Sequence, residues 1–193
     1  MRPVGNKLIL ASASPRRQEL LRATGMEFET YPAHISEMRH AGEPALQYAL
    51  RMAREKAEAT ARRFEGHCSF VLGADTIVIV DGEVLGKPTN VEDAARMLRL
   101  LSGRTHQVVT AVSLIAPQRP ADTRSCSTNV CFKKLEEREI QAYISTGEPM
   151  DKAGAYAIQG GAAAWVTRLE GDRSNVIGLP MPLVEEMLRG AGF

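Results

Sequence analysis

Val71-Leu72-Gly73-Ala74-Asp75-Thr76-Ile77-Val78-Ile79-Val80 is an apolar run broken by a single carboxylate, and Asp81-Gly82 and Glu83–Leu85 follow it. Its β-branched residues read as a buried strand over Phe70–Val80. Asp-Gly is a strong signal for a two-residue hairpin turn, so Glu83–Leu85 begins the return strand. Upstream, Leu8–Ala11 reads as a short buried strand leading into Ser14-Pro15, a cap and a first helical position. Leu20, Leu21 and Ala23 continue that helix until Gly25 stops it. Phe28–Tyr31 is a second strand. From Glu43 to about Phe64, Leu46, Ala49, Leu50, Ala53 and Ala57 recur at helical spacing, which predicts a long amphipathic helix. Downstream, Thr89 or Asn90 caps a helix running to about Leu101, where Ser102-Gly103 ends it. Thr105–Ile115 and Arg124–Lys133 read as an antiparallel pair across the turn Ala116–Asp122. Glu136–Ser145 is a short helix broken by Gly147-Glu148-Pro149. Then come a glycine-rich loop over Gly154–Gly161, a strand at Trp165–Leu169 and a last helix over Pro182–Arg189. Helices interleave with strands and hairpins, so the expected fold class is α/β with a mixed sheet. No repeat, low-complexity tract or long linker interrupts residues 1–193, which are expected to form one domain.

Composition narrows the function classes. A formal net charge of +1 provides no overall field for nucleic acid or an anionic membrane, so any affinity for phosphate must come from local clusters. Cys68, Cys126 and Cys131 are an odd set without CxxC spacing and are expected to be reduced thiols. Residues Met1–Lys7 run straight into the first strand with no signal-peptide core, and no apolar run reaches the roughly 20 residues of a membrane span. A soluble, cytoplasmic chain is expected. The histidines at 34, 40, 67 and 106 share no metal-ligand or catalytic-triad spacing.

Asp75 is the most informative residue. An ionised carboxylate removed from water without a partner costs several kcal/mol, so it needs a cation, a hydrogen-bond network or an opening to solvent. It is either a strand-end acid tied to backbone amides or a reactive group. Gly73, two residues earlier, leaves room for a close approach to the backbone. After the hairpin, Gly86-Lys87-Pro88 supplies a lysine that can return towards the strand. A carboxylate for a divalent metal beside an ammonium for phosphate suits phosphoanhydride chemistry.

A second cluster, Ser12, Ser14, Arg16 and Arg17, lies at the first strand-to-helix turn. Helix N-termini present unpaired amides to anions, and arginine forks grip phosphate oxygens. A solvated arginine pair on a capped helix fits the same residues. Walker spacing, GxxxxGK[ST], is absent. On their own, Glu37 reads as a solvated acid and Lys56 as an exposed helix lysine with i,i+4 neighbours. In Asp151–Gly161, three glycines with Tyr156 and Gln159 read either as a surface turn or as a ligand loop in which the glutamine amide pairs with a base edge.

Taken together, several stretches resemble the Maf family of nucleoside triphosphate pyrophosphatases. They are Leu10-Ala11-Ser12-Ala13-Ser14-Pro15-Arg16-Arg17, Gly73-Ala74-Asp75-Thr76, Gly86-Lys87-Pro88, Leu101-Ser102-Gly103-Arg104-Thr105-His106 and Ser174-Asn175-Val176-Ile177-Gly178-Leu179-Pro180, in the family's order. The resemblance implies a fold related to the inosine triphosphatases: a long, twisted mixed sheet flanked by helices, in two lobes with an active-site cleft. It implies Mg²⁺- or Mn²⁺-dependent hydrolysis between the α and β phosphates, giving a nucleoside monophosphate and pyrophosphate. The family's general base falls on Asp75, its phosphate-binding arginines on Arg16 and Arg17, its metal-site glutamate on Glu37, and its phosphate-contacting lysines on Lys56 and Lys87. Asp151–Gly160 resembles the branch acting on dTTP and UTP, in which positions matching Arg16, Thr76 and Gln159 are associated with substrate choice. Homodimers occur in the family.

Two departures stand out. The acidic segment, usually Asp-x-Asp-Glu, is here His34-Ile35-Ser36-Glu37, and Ala157 replaces a common glycine. The alternative functions are a 7-methyl-GTP pyrophosphatase, a nucleotide-binding regulator of septum formation without significant turnover, and a nucleic-acid-binding module. The near-zero net charge and scarce aromatics argue against the last of these.

Overall fold

A computed structural model of the chain describes residues 7–64 and 69–193. Cys68 and His67 lie outside the described residues. The elements, in order, are β1 (Lys7–Leu10), α1 (Pro15–Arg22), β2 (Phe28–Thr30), α2 (Ala45–Ala61), β3 (Ser69–Val80), β4 (Glu83–Leu85), α3 (Val91–Leu101), β5 (Thr105–Ile115), β6 (Asp122–Phe132), α4 (Glu137–Ser145), β7 (Val166–Glu170), α5 (Arg173–Ile177) and α6 (Met181–Ala191). Short 3-10 turns occur at Arg62–Phe64, Glu148–Asp151, Ala153–Ala155 and Gly161–Trp165. Among the described residues the sheet has seven strands, in the order β2-β1-β3-β5-β6-β7 with β4 paired to β3. β1 is parallel to both β2 and β3, whereas β3–β4 and β6–β7 are antiparallel, so the expected mixed sheet is present.

Local chemistry accounts for the element ends. Asp81 and Gly82 both take positive φ (49° and 82°), the conformation a tight two-residue hairpin needs, and Val80 pairs with Glu83 across it. Asn90, rather than Thr89, caps α3: its side chain accepts from Asp93 N at 2.8 Å. Glu136 and Glu139 form a capping box on α4. Ser14 occupies the cap position of α1, but its side chain makes no capping bond. Its N–H donates to Ser12 Oγ at 3.2 Å.

The chain divides into two compact units, and β3, β5 and β6 each contribute one end to each of them. The first comprises residues 1–75, 110–126 and 178–193. Its core joins Leu8 and Leu10 of β1, Leu72 of β3 and Val112 of β5 to Leu21 of α1 and Val184 and Leu188 of α6. Fully burying such side chains contributes roughly 1.5–3 kcal/mol each. The second unit comprises residues 76–109 and 127–177, with a core built on Val78, Leu98, Phe132, Ile140, Tyr156 and Trp165. Among the described residues, no helix is long and apolar enough to cross a membrane.

Candidate active site

In the first unit, helix α2 is laid against strand β3 at Gly73. A Cβ on Gly73 would stand 2.3 Å from Ala53 O and 2.7 Å from Ala57 N, so only glycine permits this approach. The room that Gly73 leaves is therefore taken by a helix of the protein itself. The contact places Lys56, between Ala53 and Ala57 along α2, against Asp75 two residues further along β3. Lys56 Nζ donates to Asp75 Oδ1 at 2.7 Å, and both residues are only 8% exposed. The lysine is thus buried, not the exposed helix lysine that helical spacing allows.

Glu37 reaches the same ammonium, with Oε1 2.7 Å from Lys56 Nζ, from an exposed position on the irregular segment between β2 and α2. That segment is fastened to α2 by two side chains. Tyr48 OH donates to Glu37 O at 2.8 Å, and Arg51 Nη2 donates to Met38 O at 3.0 Å. Arg51 also grips the Glu43 carboxylate through Nε (2.7 Å) and Nη2 (2.8 Å), which holds the Glu43 pKa down to about 2. Burial, followed by the Asp75 and Glu37 carboxylates, pushes the Tyr48 phenol up to about 12. Sequence reading missed Tyr48 and Arg51. The i,i+8 spacing of Tyr48 and Lys56, which puts both on one helix face, was the available signal.

Arg17 completes the cluster from α1. Its Nε donates to Gly178 O at 2.7 Å, and its Nη1 donates to Ala74 O at 2.9 Å and Ser12 Oγ at 3.3 Å. Burial lowers its pKa, and Asp75 acts in the opposite direction. The two arginines are therefore not equivalent forks aimed at an anion. Arg17 clamps the backbone beside Asp75 and fixes the Ser12 hydroxyl, whereas Arg16 is half-buried next to it on α1.

These groups can do specific chemistry. Moving an ammonium and a carboxylate out of water costs several kcal/mol per ion before their attraction returns it, so a buried pair is weak evidence for stability alone. Two carboxylates converging on one cation make a proton acceptor and hard oxygen donors available together. Among the described residues, no group of three or more His, Cys, Asp or Glu gathers to hold a metal. Asp75 and Glu37 are two hard oxygen donors, a number that could hold a divalent cation of the kind whose remaining positions are filled by water or phosphate.

Thr76, Lys87 and Gln159 belong to the second unit. Thr76 is half-buried on β3, Lys87 is exposed after β4, and Gln159 is exposed in the loop before the Gly161–Trp165 turn. The glycines around Gln159 serve packing within the unit. A Cβ on Gly154 (φ +70°) would lie 2.9 Å from Val78 Cγ2, and one on Gly160 would lie 1.8 Å from Glu148 Oε1. Tyr156 is also a core residue, its hydroxyl 2.7 Å from His106 Nε2 inside an aromatic cluster with Phe132 and Trp165.

A sequence profile of the family described as "Maf-like protein" matches residues 7–191. The "dTTP/UTP pyrophosphatase" of Koribacter versatilis (strain Ellin345) is 52% identical over 189 residues, covering 98% of this chain and 96% of its own. The protein of the same name from Geobacter metallireducens is 48% identical over 191 residues, covering 98% of each. Among solved structures, the Staphylococcus aureus Ham1 protein superposes with a TM-score of 0.55 over 96% of this chain and 99% of its own. At 15% identity, that likeness speaks to fold alone.

Proposed function

This chain belongs to the Maf family, and from that premise we propose that it is a nucleoside triphosphate pyrophosphatase cleaving dTTP and UTP to the monophosphate and pyrophosphate. Relatives about half identical over nearly the whole chain carry that name. The observation that carries the chemistry is the buried Lys56 ammonium held between Asp75 and Glu37.

In this reading, Asp75 accepts a proton from the water that attacks the α-phosphorus. Lys56 orients that carboxylate through its hydrogen bond to Oδ1. Arg17 bonds both Ala74 O and the Ser12 hydroxyl, so the serine hydroxyl just beyond β1 is held beside the β3 residue that precedes Asp75. Arg16, Ser14 and Lys87 contact phosphate oxygens, while Thr76 and Gln159 contribute to base choice. Asp75 and Glu37 would hold a divalent cation, which supplies charge neutralisation on the phosphates and the departing pyrophosphate. Pyrophosphate release from a panel of canonical and modified nucleotides, with Mg²⁺ and with Mn²⁺, tests the proposal. Preference for dTTP and UTP supports it, and failure to release pyrophosphate from any nucleotide overturns it.

A further inference from the structure

Residues Ala157 to Gly161 form a turn closed by Gly160 N donating to Ala157 O at 3.1 Å, and Gln159 carries its one exposed side chain. Side chains from elsewhere in the same unit hold this turn at three points. Ala157 N donates to the Tyr143 hydroxyl at 3.0 Å, Gly161 N donates to Glu148 Oε2 at 3.1 Å, and Arg173 Nη2 donates to Ile158 O at 3.3 Å. Tyr143 is buried, and its hydroxyl is hydrogen-bonded to the Glu148 carboxylate. One phenol and one carboxylate, joined to each other, therefore fasten both ends of a five-residue turn. Glu148 packs so closely that a Cβ at Gly160 would overlap its carboxylate. Its own backbone carbonyl is in turn held by Lys152 Nζ at 2.6 Å.

A turn that merely reverses the chain needs no such scaffold. A rigid turn carrying one exposed amide has the build of a recognition element, because ordering the backbone beforehand removes a cost that binding would otherwise bear. We propose that Tyr143, Glu148 and Arg173 are positioning residues for nucleobase choice, fixing the backbone beneath Gln159 so that its carboxamide meets the N3–H and O4 edge of uracil or thymine. The proposal rests on Gln159 reading the base, as set out above. Cytosine presents an acceptor and a donor in the opposite order, so a well-placed carboxamide favours the thymine nucleotide, and a loosened one loses that preference.

The test is steady-state kinetics on dTTP and dCTP for full-length Tyr143→Phe, Glu148→Ala, Glu148→Gln and Gln159→Ala, together with the double variant Tyr143→Phe/Gln159→Ala. Leaving a backbone N–H without its acceptor is worth about tenfold in an equilibrium where that N–H is buried, as at Ala157, and less at exposed Gly161. Tyr143→Phe is therefore expected to raise KM for dTTP roughly tenfold and Glu148→Ala to raise it by less, both narrowing the dTTP-over-dCTP preference, with kcat moving by less than about twofold. Glu148→Gln, which keeps an acceptor for Gly161 N–H, recovers most of the loss. Tyr143→Phe adds nothing in the Gln159→Ala background. The proposal is overturned if Gln159→Ala changes base preference while Tyr143→Phe and Glu148→Ala do not, or if the Tyr143 effect persists without Gln159. If Gln159→Ala itself leaves base preference unchanged, it is the base-reading role that fails, and the proposal falls with it. Should Tyr143→Phe fail to fold, the Glu148 pair decides.

Discussion

Lys56 Nζ lies 2.7 Å from Asp75 Oδ1 and at the same distance from Glu37 Oε1, so a single buried ammonium neutralises two carboxylates from different parts of the chain. Each of the three groups then depends on the others in a way that mutagenesis can separate.

Asp75→Asn preserves volume and leaves Lys56 paired with Glu37. Folding stability should change little, while pyrophosphate release from dTTP should fall by at least about 100-fold, the usual scale for losing a positioned base. Near-wild-type turnover would remove Asp75 from the proton-accepting role. Lys56→Met is expected to do the reverse on stability. It leaves the buried Asp75 carboxylate without its ammonium, which costs about 3 kcal/mol and is readable as a lower urea midpoint at neutral pH.

Gly73→Ala should damage both stability and turnover. The added methyl would press on Ala53 O at 2.3 Å and Ala57 N at 2.7 Å, both of them backbone atoms that cannot swing aside. A loss of roughly 3 kcal/mol is expected, at the upper end of the range for overpacking, and α2 must shift away from β3 and carry Lys56 with it. Urea unfolding and pyrophosphate release on the same preparation check this. A variant as stable as wild type would show that the helix–strand contact is not tight.

Arg51→Ala should loosen the segment that bears Glu37 without touching Asp75. Groups that orient a metal ligand typically account for tenfold or more in metal affinity, so the Mg²⁺ concentration giving half-maximal rate is expected to rise roughly tenfold. Mn²⁺ binding followed by electron paramagnetic resonance should weaken in parallel. An unchanged metal requirement would separate Glu37 from the cation.

His106 predicts a pH dependence of stability. Burial depresses its pKa from 6.5 to about 4 in the folded protein. Between these values the unfolded chain binds the proton and the folded one does not, so stability should fall as pH drops from about 6.5 to about 4 and level off below. The full effect is on the order of 3 kcal/mol. His106→Gln should flatten that slope in urea titrations at pH 5 and pH 7.5. An unchanged slope would assign the acid sensitivity to other groups.

Elements governed by neighbours in sequence were legible before the structure. The Asp81-Gly82 turn, the cap at Asn90 and the helix break at Gly147 all depend on chemistry within a few residues. Asp75 was also legible, because a lone charge in an apolar strand calls for a partner. Contacts distant in sequence were less so. Helical spacing shows that Lys56 lies on a face of α2 but not what that face meets, and its burial against Asp75 follows only from the approach at Gly73. The glycines at 154 and 160 suggested backbone approach by a ligand, and the approaching groups proved to be Val78 and Glu148 of the same unit. Ser14 occupies the cap position its local chemistry suggests, yet its side chain makes no capping bond. Helical spacing places Tyr48 on the face of α2 that carries Lys56, but the backbone carbonyls that Tyr48 and Arg51 hold leave no mark in sequence.

The bond from Arg17 to Gly178 O spans 161 residues and belongs to the same unit as Asp75, Glu37 and Lys56. Ribosomal synthesis delivers those acids and that lysine first and their last backbone support near the end. A nascent chain that has emerged only as far as Asp75 already holds Glu37, Lys56 and Asp75 but lacks Gly178 and the α6 residues that pack with β1. The first unit is therefore assembled from segments far apart in sequence, and its packing around Lys56 and Asp75 draws on residues synthesised well after them.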